Sequence, residues 1–146
     1  MRRVVGLGQP AAGDDGVGLA VLDALEAEAF DDVELVRLRD AAPLVDLLDG
    51  QPLLLVDAVV GGGEPGTLRW LGVDALARAP LWSTHGLSVA EAVGLATALH
   101  GAQVAAGLRI LGVCIDPPSG PAFTLSPAVA AAVPLAAQAV HGHLAR

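Results

Sequence analysis

The sequence has no lysine and only one cysteine in 146 residues. All eight basic residues are arginines, and we attribute this bias to the coding composition of the genome rather than to function. Because Cys114 has no second cysteine to pair with, an internal disulfide is excluded. A chain of this length buries roughly 70% of its unfolded surface in one domain, so it needs neither a disulfide nor a structural metal.

Positive charge is also scarce. The chain has eight basic and sixteen acidic residues, which gives a formal charge of -8 and a pI near 4.7. This balance argues against a nucleic acid or an anionic membrane as partner. Only 16% of the residues are charged while 53% are hydrophobic, and this composition excludes a disordered chain.

No segment has the pattern of a membrane span or a signal peptide. The longest uncharged helix-like stretch, residues 92–108, is interrupted by glycines and polar side chains, and the tail after Asp116 contains five prolines. The apolar N-terminal run breaks at Gly6 and is soon followed by two aspartates. We therefore expect a soluble, cytoplasmic protein with a single domain over residues 1–146.

Strand and helix patterns alternate along the chain. Apolar and β-branched runs predict strands at Arg3–Leu7, Val33–Leu38, Leu53–Val60, Leu68–Leu71 and Leu108–Ile115. Helical spacing predicts helices from Gly16 to about Ala29, from Pro43 to Leu48, from Ser88 to about Leu99 and from Ser126 onward. Ser88 and Glu91 have the spacing of a capping box, and Ser126-Pro127 are predicted as the N-cap and first residue of the last helix. This alternation indicates an α/β fold whose mostly parallel sheet is covered by helices on both faces. Functional sites in such sheets lie beyond the carboxyl ends of the strands.

The first candidate site is the glycine-rich loop from Gly6 to Gly16. Its spacing differs from the dinucleotide-binding pattern, and Asp14 and Asp15 would repel a pyrophosphate at the helix start. One aspartate can cap the helix while the other faces the cleft, and we assign the cleft position to Asp15.

Asp57 and His85 are the other two candidates. Asp57 is the one charge in an apolar strand, where a carboxylate is costly unless it is paired, metal-bound or bonded to backbone N–H groups of a neighbouring loop. His85 lies in a loop just before a capped helix, a position that an ordinary loop histidine also occupies. With Asp15 they form a set of two oxygen ligands and one nitrogen ligand, which suits a divalent transition metal. Cys114 lies within an aliphatic strand and is interpreted as a buried apolar residue.

Four passages in this order resemble the [NiFe]-hydrogenase maturation proteases. The family pattern Gly-x-Gly-Asn-x-x-x-x-Asp-Asp/Glu-Gly-x-Gly aligns with Gly6–Gly18. The family strand ending in Asp-Ala, with the Pro-Gly-Thr turn that follows it, aligns with Asp57-Ala58 and Pro65-Gly66-Thr67. The other two matches are the histidine passage Ser83–Ser88, and the last strand and helix at Gly112-Val113 and Leu125-Ser126-Pro127.

The resemblance implies a three-layer α/β/α sandwich with a twisted sheet of about five strands. It implies a metal-dependent, aspartyl-type endopeptidase that removes the C-terminal extension of a hydrogenase large-subunit precursor after nickel insertion. Nickel would be supplied by that substrate, and Asp15, Asp57 and His85 would be both the nickel ligands and the catalytic residues. The alternative is a nickel-sensing adaptor or chaperone that binds the precursor through the same residues without cutting it.

The sequence departs from the family pattern at two places. Gln9 replaces the asparagine of the first loop, and Arg39-Asp40-Ala41-Ala42 replaces an Asp-Gly-Gly-Thr loop associated with substrate choice. The start of the chain is also similar to peptidyl-tRNA hydrolase, but that enzyme has a Thr-Arg-His-Asn passage and a basic face for tRNA. The acidic charge and Asp14-Asp15 argue against this interpretation.

Overall fold

A computed structural model describes residues 2–28, 30–74, 88–118 and 120–145. Its five strands form one sheet in the order β2-β1-β3-β5-β4. The strands are β1 (Arg2–Leu7), β2 (Val33–Leu38), β3 (Leu53–Val60), β4 (Leu68–Leu71) and β5 (Leu108–Ile115). All neighbouring pairs are parallel except β4 with β5, which is antiparallel at one edge. The predicted α/β fold with a mostly parallel, five-stranded sheet is confirmed.

The helices also lie close to their predicted positions. In the described part of the chain they are α1 (Val17–Glu26), α2 (Leu44–Leu47), α3 (Val89–His100) and α4 (Pro127–Leu144). Short 3-10 helices occupy Gly13–Gly16 and Ala102–Ala105, and we call the first of these the acidic turn. The helix predicted from Gly16 to about Ala29 begins as expected, with Gly16 as its N-cap residue, but it ends earlier, at Glu26. Ala29 itself lies outside the described residues.

Two apolar layers cover the two faces of the sheet. On one face, the buried side chains of α1 and α4 pack against alternate residues of β1, β3 and β5. On the other face, α2, α3 and the Ala102–Ala105 helix pack against the intervening residues of the same strands. Each layer removes a continuous apolar surface from water, which is the main favourable term in folding. The result is the three-layer sandwich that the sequence predicted.

The central strand β3 belongs to both layers. Leu54, Val56 and Ala58 face α1 and α4, whereas Leu53 and Leu55 face α2 and α3. Successive side chains of a strand point to opposite faces. The side chain of Asp57 therefore lies on the same face as Leu53 and Leu55.

The start of α3 confirms the predicted capping box. The backbone N–H of Glu91 donates to Ser88 Oγ over 3.1 Å, and the backbone N–H of Ser88 donates to Glu91 Oε1 over 3.2 Å. These two bonds satisfy donors that a helix start leaves unpaired. Within the described ranges, no helix combines the length and apolar character needed to cross a bilayer.

The N-terminal end of α1 lies directly against two strands at Gly18. A Cβ atom built at Gly18 falls 2.5 Å from the carbonyl oxygen of Leu7 and 2.5 Å from that of Val56. Only glycine permits this approach, because any side chain would overlap both backbones. Gly18 thereby sets how closely α1, and the acidic turn that precedes it, approach the carboxyl ends of β1 and β3.

We expect Gly18→Ala to destabilise the protein by about 1–3 kcal/mol or more, because backbone atoms must move to make room. Gly94→Ala is the matched control. Gly94 also lies within a helix, but its added Cβ meets nothing within 4 Å. Replacing it should stabilise the protein by up to ~1 kcal/mol through helix propensity alone. Urea unfolding of both variants tests this, and equal effects of the two would contradict the close-packing argument.

Candidate active site

The candidate site lies where β1 ends and β3 continues. Strand β1 pairs with β3 only as far as Gly6 with Val56, while β5 pairs with β3 as far as Val60. Asp57 is therefore the first residue of β3 beyond its pairing with β1. The chain leaving β1 folds back through the acidic turn, which contacts β3. Asp57 and the acidic turn thus share the carboxyl edge of the sheet, as expected for a site in this class of fold.

The backbone of Asp15 is packed tightly against the end of β1. A Cβ built at Gly8 would lie 2.4 Å from the carbonyl oxygen of Asp15, so the two backbone segments are in direct contact. The backbone N–H of Asp15 donates to the carbonyl of Ala12 over 3.3 Å. These contacts hold Asp15 next to the start of α1.

Asp57 has a strongly perturbed carboxyl group. Burial and, second, the negative charge of Asp15 raise its pKa from 3.8 to about 8. The backbone N–H of Ala58 donates to Asp57 Oδ1 over 2.8 Å and opposes this shift. The residue as a whole keeps some solvent exposure, but the carboxyl group itself is desolvated. A carboxyl group with this pKa favours its protonated form near neutral pH.

The carboxylate of Asp57 is not satisfied by a neighbouring loop within the described residues. Its one hydrogen bond there comes from the next residue of its own strand, and no cation pairs with it. The sequence left open a purely structural role in which a loop saturates this carboxylate with N–H bonds. Among the described residues, that arrangement is absent.

The neighbouring aspartate, Asp14, is engaged elsewhere. The backbone N–H of Ser126 donates to Asp14 Oδ1 over 2.6 Å, and the Ser126 hydroxyl donates to Asp14 Oδ2 over 2.8 Å. Neither the acidic turn nor α1 has a side-chain cap at its start. The expectation that an aspartate caps the following helix was therefore wrong, because Asp14 binds the start of α4 instead. Asp15 is the aspartate whose charge acts on Asp57.

The histidine of the predicted set, His85, lies outside the described residues. Within the part of the chain that the structure describes, no group of three or more histidine, cysteine or acidic side chains is placed to hold a metal. The described site therefore consists of the two carboxylates of Asp15 and Asp57, and His85 stays a prediction.

Gln9 and Arg39 form a contact that the sequence did not reveal. The side-chain amide of Gln9 donates from Nε2 to the carbonyl of Arg39 over 2.9 Å, and the N–H of Gly8 donates to the carbonyl of Leu38 over 3.0 Å. These bonds join the loop after β1 to the loop after β2. The only sequence signal was that both positions depart from the family pattern.

The arrangement of the two carboxylates suits the binding of a cation. Each of two neighbouring carboxylates raises the free energy needed to ionise the other, above all where water is excluded. A bound divalent ion would offset this free energy. Oxygen ligands alone suit hard cations, whereas an added imidazole nitrogen would favour nickel or zinc. A carboxyl group that titrates near neutral pH also suits proton transfer. The residues present therefore fit both a metal ion and acid–base chemistry.

The fold and the site define a doubly wound α/β protein with an acidic site at the carboxyl edge of its sheet. The sequence model of the HycI hydrogenase maturation protease family matches residues 40–143, which include Asp57 and His85 but not Asp15. The chain belongs to the hydrogenase maturation protease family, a family of hydrolases.

Solved structures of similar fold span almost the whole chain. The hydrogenase maturating endopeptidase HybD from Escherichia coli is 23% identical with a TM-score of 0.80, covering 98% of this chain and 91% of its own. The [NiFe] hydrogenase maturation protease HybD from Thermococcus kodakarensis is 19% identical with a TM-score of 0.73, covering 99% of each chain. HycI from Thermococcus kodakarensis is 22% identical with a TM-score of 0.73, covering 99% of this chain and 92% of its own. A comparison with curated proteins gives no match.

The raised pKa of Asp57 predicts that stability falls as pH rises. Between pH 4 and 8 the folded protein keeps the Asp57 proton and the unfolded chain loses it, so stability from this group is complete below about pH 4 and declines toward pH 8. The decline is about 1 kcal/mol per pH unit. Asp57→Asn should lack this pH-dependent contribution to stability. Asp15→Asn should lower the pKa of Asp57, so that the decline in stability ends at a lower pH. Urea unfolding in EDTA at several pH values tests this, and parallel curves for wild type and Asp57→Asn would contradict it.

Proposed function

We propose that this protein is an endopeptidase that removes the C-terminal extension of a [NiFe]-hydrogenase large-subunit precursor after nickel has been inserted. Family membership supports hydrogenase maturation proteolysis as the reaction class. The observation that carries the proposal is the pair of carboxyl groups of Asp15 and Asp57 at the carboxyl edge of the sheet, of which Asp57 is desolvated.

The nickel of the loaded precursor is part of the substrate in this proposal. Asp15, Asp57 and His85 are its ligands from this chain, with His85 carried over from the family resemblance. Positive charge at the carboxylate pair favours ionisation of Asp57, which is costly in the metal-free protein. Recognition of nickel would therefore be coupled to loss of the Asp57 proton. An unloaded precursor offers no such compensation, and this difference makes cleavage depend on nickel.

The two carboxylates also supply the acid–base chemistry of peptide hydrolysis. A bound divalent ion polarises a scissile carbonyl or lowers the pKa of a water molecule. In this proposal either Asp15 or Asp57, once ionised, accepts the proton of the attacking water and returns it to the leaving amine. The pKa of Asp57 near neutrality suits both directions of this transfer.

An open groove beside the acidic turn offers room for an extended peptide. Its volume is about 420 Å³, and its walls include Gly13 and Gly16 of the turn, Leu19 of α1, Arg39 and Phe123. Phe123 is 84% exposed. An endopeptidase must hold the chain on both sides of the scissile bond, and a groove that shares Gly13 and Gly16 with the acidic turn supports that role.

We expect the purified protein to shorten a nickel-loaded large-subunit precursor from the same organism, and to leave the nickel-free precursor intact. Intact-mass measurement detects the loss of the C-terminal peptide and locates the cut. Asp57→Asn and Asp15→Asn should each lower the cleavage rate at least ~100-fold, because each removes a candidate proton acceptor and a ligand. His85→Ala should weaken cleavage in the same way.

Asp31→Asn is the control, since it changes an exposed carboxylate outside the site. Its rate should equal that of the wild type. Binding of the loaded precursor without any mass loss would reject the protease and favour the adaptor. Normal processing by Asp57→Asn would remove Asp57 from the mechanism.

A further inference from the structure

A segment near the C-terminus holds the acidic turn in place. Ala122 forms a parallel bridge with Ala12, on the chain just before the turn. The N–H of Ala122 donates to the carbonyl of Ala11 over 2.9 Å, and the N–H of Gly13 donates to the carbonyl of Ala122 over 2.8 Å. We call residues 122–126 the clamp. Its first residue binds the chain on both sides of Ala12.

The last residue of the clamp, Ser126, binds the turn itself. Both carboxylate oxygens of Asp14 are used, one by the Ser126 N–H over 2.6 Å and one by the Ser126 hydroxyl over 2.8 Å. Hydrogen bonds to an ionised acceptor are about twice as strong as neutral ones. The negative charge of Asp14 also lies at the positive end of the helix dipole of α4.

The clamp is itself fixed to the core. Ser126 is the N-cap residue of the 18-residue helix α4, and its carbonyl accepts the N–H of Ala130 over 2.8 Å. The first turns of α4 are buried, with Val129 and Ala132 0% and 1% exposed. Helices α4 and α1 pack against each other. Through Ser126, Asp14 is therefore tied to a rigid element.

The position of the acidic turn decides where the Asp15 carboxylate lies, because Asp15 directly follows Asp14 in the turn. The turn contacts β3, and the charge of Asp15 acts on Asp57 there. Gly8 bounds Asp15 on one side, since its added Cβ would lie 2.4 Å from the Asp15 carbonyl oxygen. The hydrogen bonds of Asp14 and Gly13 with the clamp restrain the acidic turn in addition to this contact.

We propose that Asp14 is a positioning residue, which acts through Ser126 to hold the acidic turn so that the Asp15 carboxylate stays beside Asp57. The consequence for catalysis rests on the function proposed above. The role is distinct from ligation or proton transfer, because both oxygens of Asp14 are occupied by Ser126.

The test compares Asp14→Ala with Asp14→Asn. Alanine removes both bonds, so kcat for the loaded precursor should fall about 10- to 100-fold while KM stays within a factor of about three. Asparagine can accept the Ser126 N–H and donate to its hydroxyl, so kcat should return to within about threefold of the wild type. Ser126→Ala removes only the hydroxyl bond and should give an intermediate loss. If Asp14→Ala fails to fold, the kcat of Ser126→Ala tests the proposal in its place.

Asp116→Ala is the matched charge control. Asp116 is exposed and precedes the clamp in the same loop, and in the described residues it makes no hydrogen bond to the acidic turn. Its kcat should stay at the wild-type value. An equal loss in Asp116→Ala and Asp14→Ala would overturn the proposal by assigning the effect to charge. An Asp14→Asn variant as slow as Asp14→Ala would also overturn it.

Amide hydrogen exchange separates this proposal from the proposed function. Asp14→Ala should speed exchange at residues 13–16 at least ~10-fold while the strands keep their protection, and Asp14→Asn should restore slow exchange. If the wild type cleaves no precursor, the proposed function fails, and the exchange experiment alone tests the role of Asp14. Faster exchange confined to the acidic turn in Asp14→Ala then supports the positioning role. Unchanged exchange in that variant overturns it. Faster exchange with unchanged kcat would overturn the catalytic consequence.

Discussion

The close approach of α1 to the ends of β1 and β3 is the constraint on which the site depends. At Gly18 the helix backbone lies so near the carbonyls of Leu7 and Val56 that no side chain fits between them. This contact brings the acidic turn against β3 and places the charge of Asp15 where it acts on Asp57. Burial contributes most to the raised pKa of Asp57, and the packing that brings Asp15 close adds to it. A bulkier residue at position 18 would move the acidic turn away from β3 and so separate Asp15 from Asp57.

The cost of holding two carboxylates together is offset by contacts that lie away from them. Asp14 and the clamp tie the turn to α4, whose buried face packs on α1 and the sheet. The two apolar layers supply the stability, and the polar bonds direct where the turn lies. A local conflict of charge, supported by a consistent structure around it, is the pattern that is expected at functional sites in general.

Patterns within single segments predicted most of the fold. The continuous apolar run of β3 indicated a central parallel strand, and the Ser88–Glu91 spacing indicated the start of α3. Asp57 could be singled out because one carboxyl in that run had to be desolvated. The partner of Asp14 could not be predicted, because it lies 112 residues away and depends on how two loops meet. Ser126 was predicted as an N-cap, and it holds that position while its hydroxyl is directed to Asp14.

The two departures from the family pattern meet in space. The longer side chain of Gln9 reaches the carbonyl of Arg39, in the loop that replaces the Asp-Gly-Gly-Thr passage. The N–H of Ala42 donates to Asp40 Oδ1 over 2.9 Å, so this loop is also braced by its own aspartate. Arg39 borders the groove beside the acidic turn. A change at position 9 therefore acts on the shape of the groove as well as on the loop that precedes Asp15. Because both loops leave adjacent parallel strands and Gln9 bonds to the backbone of Arg39, the position of each loop depends on the other.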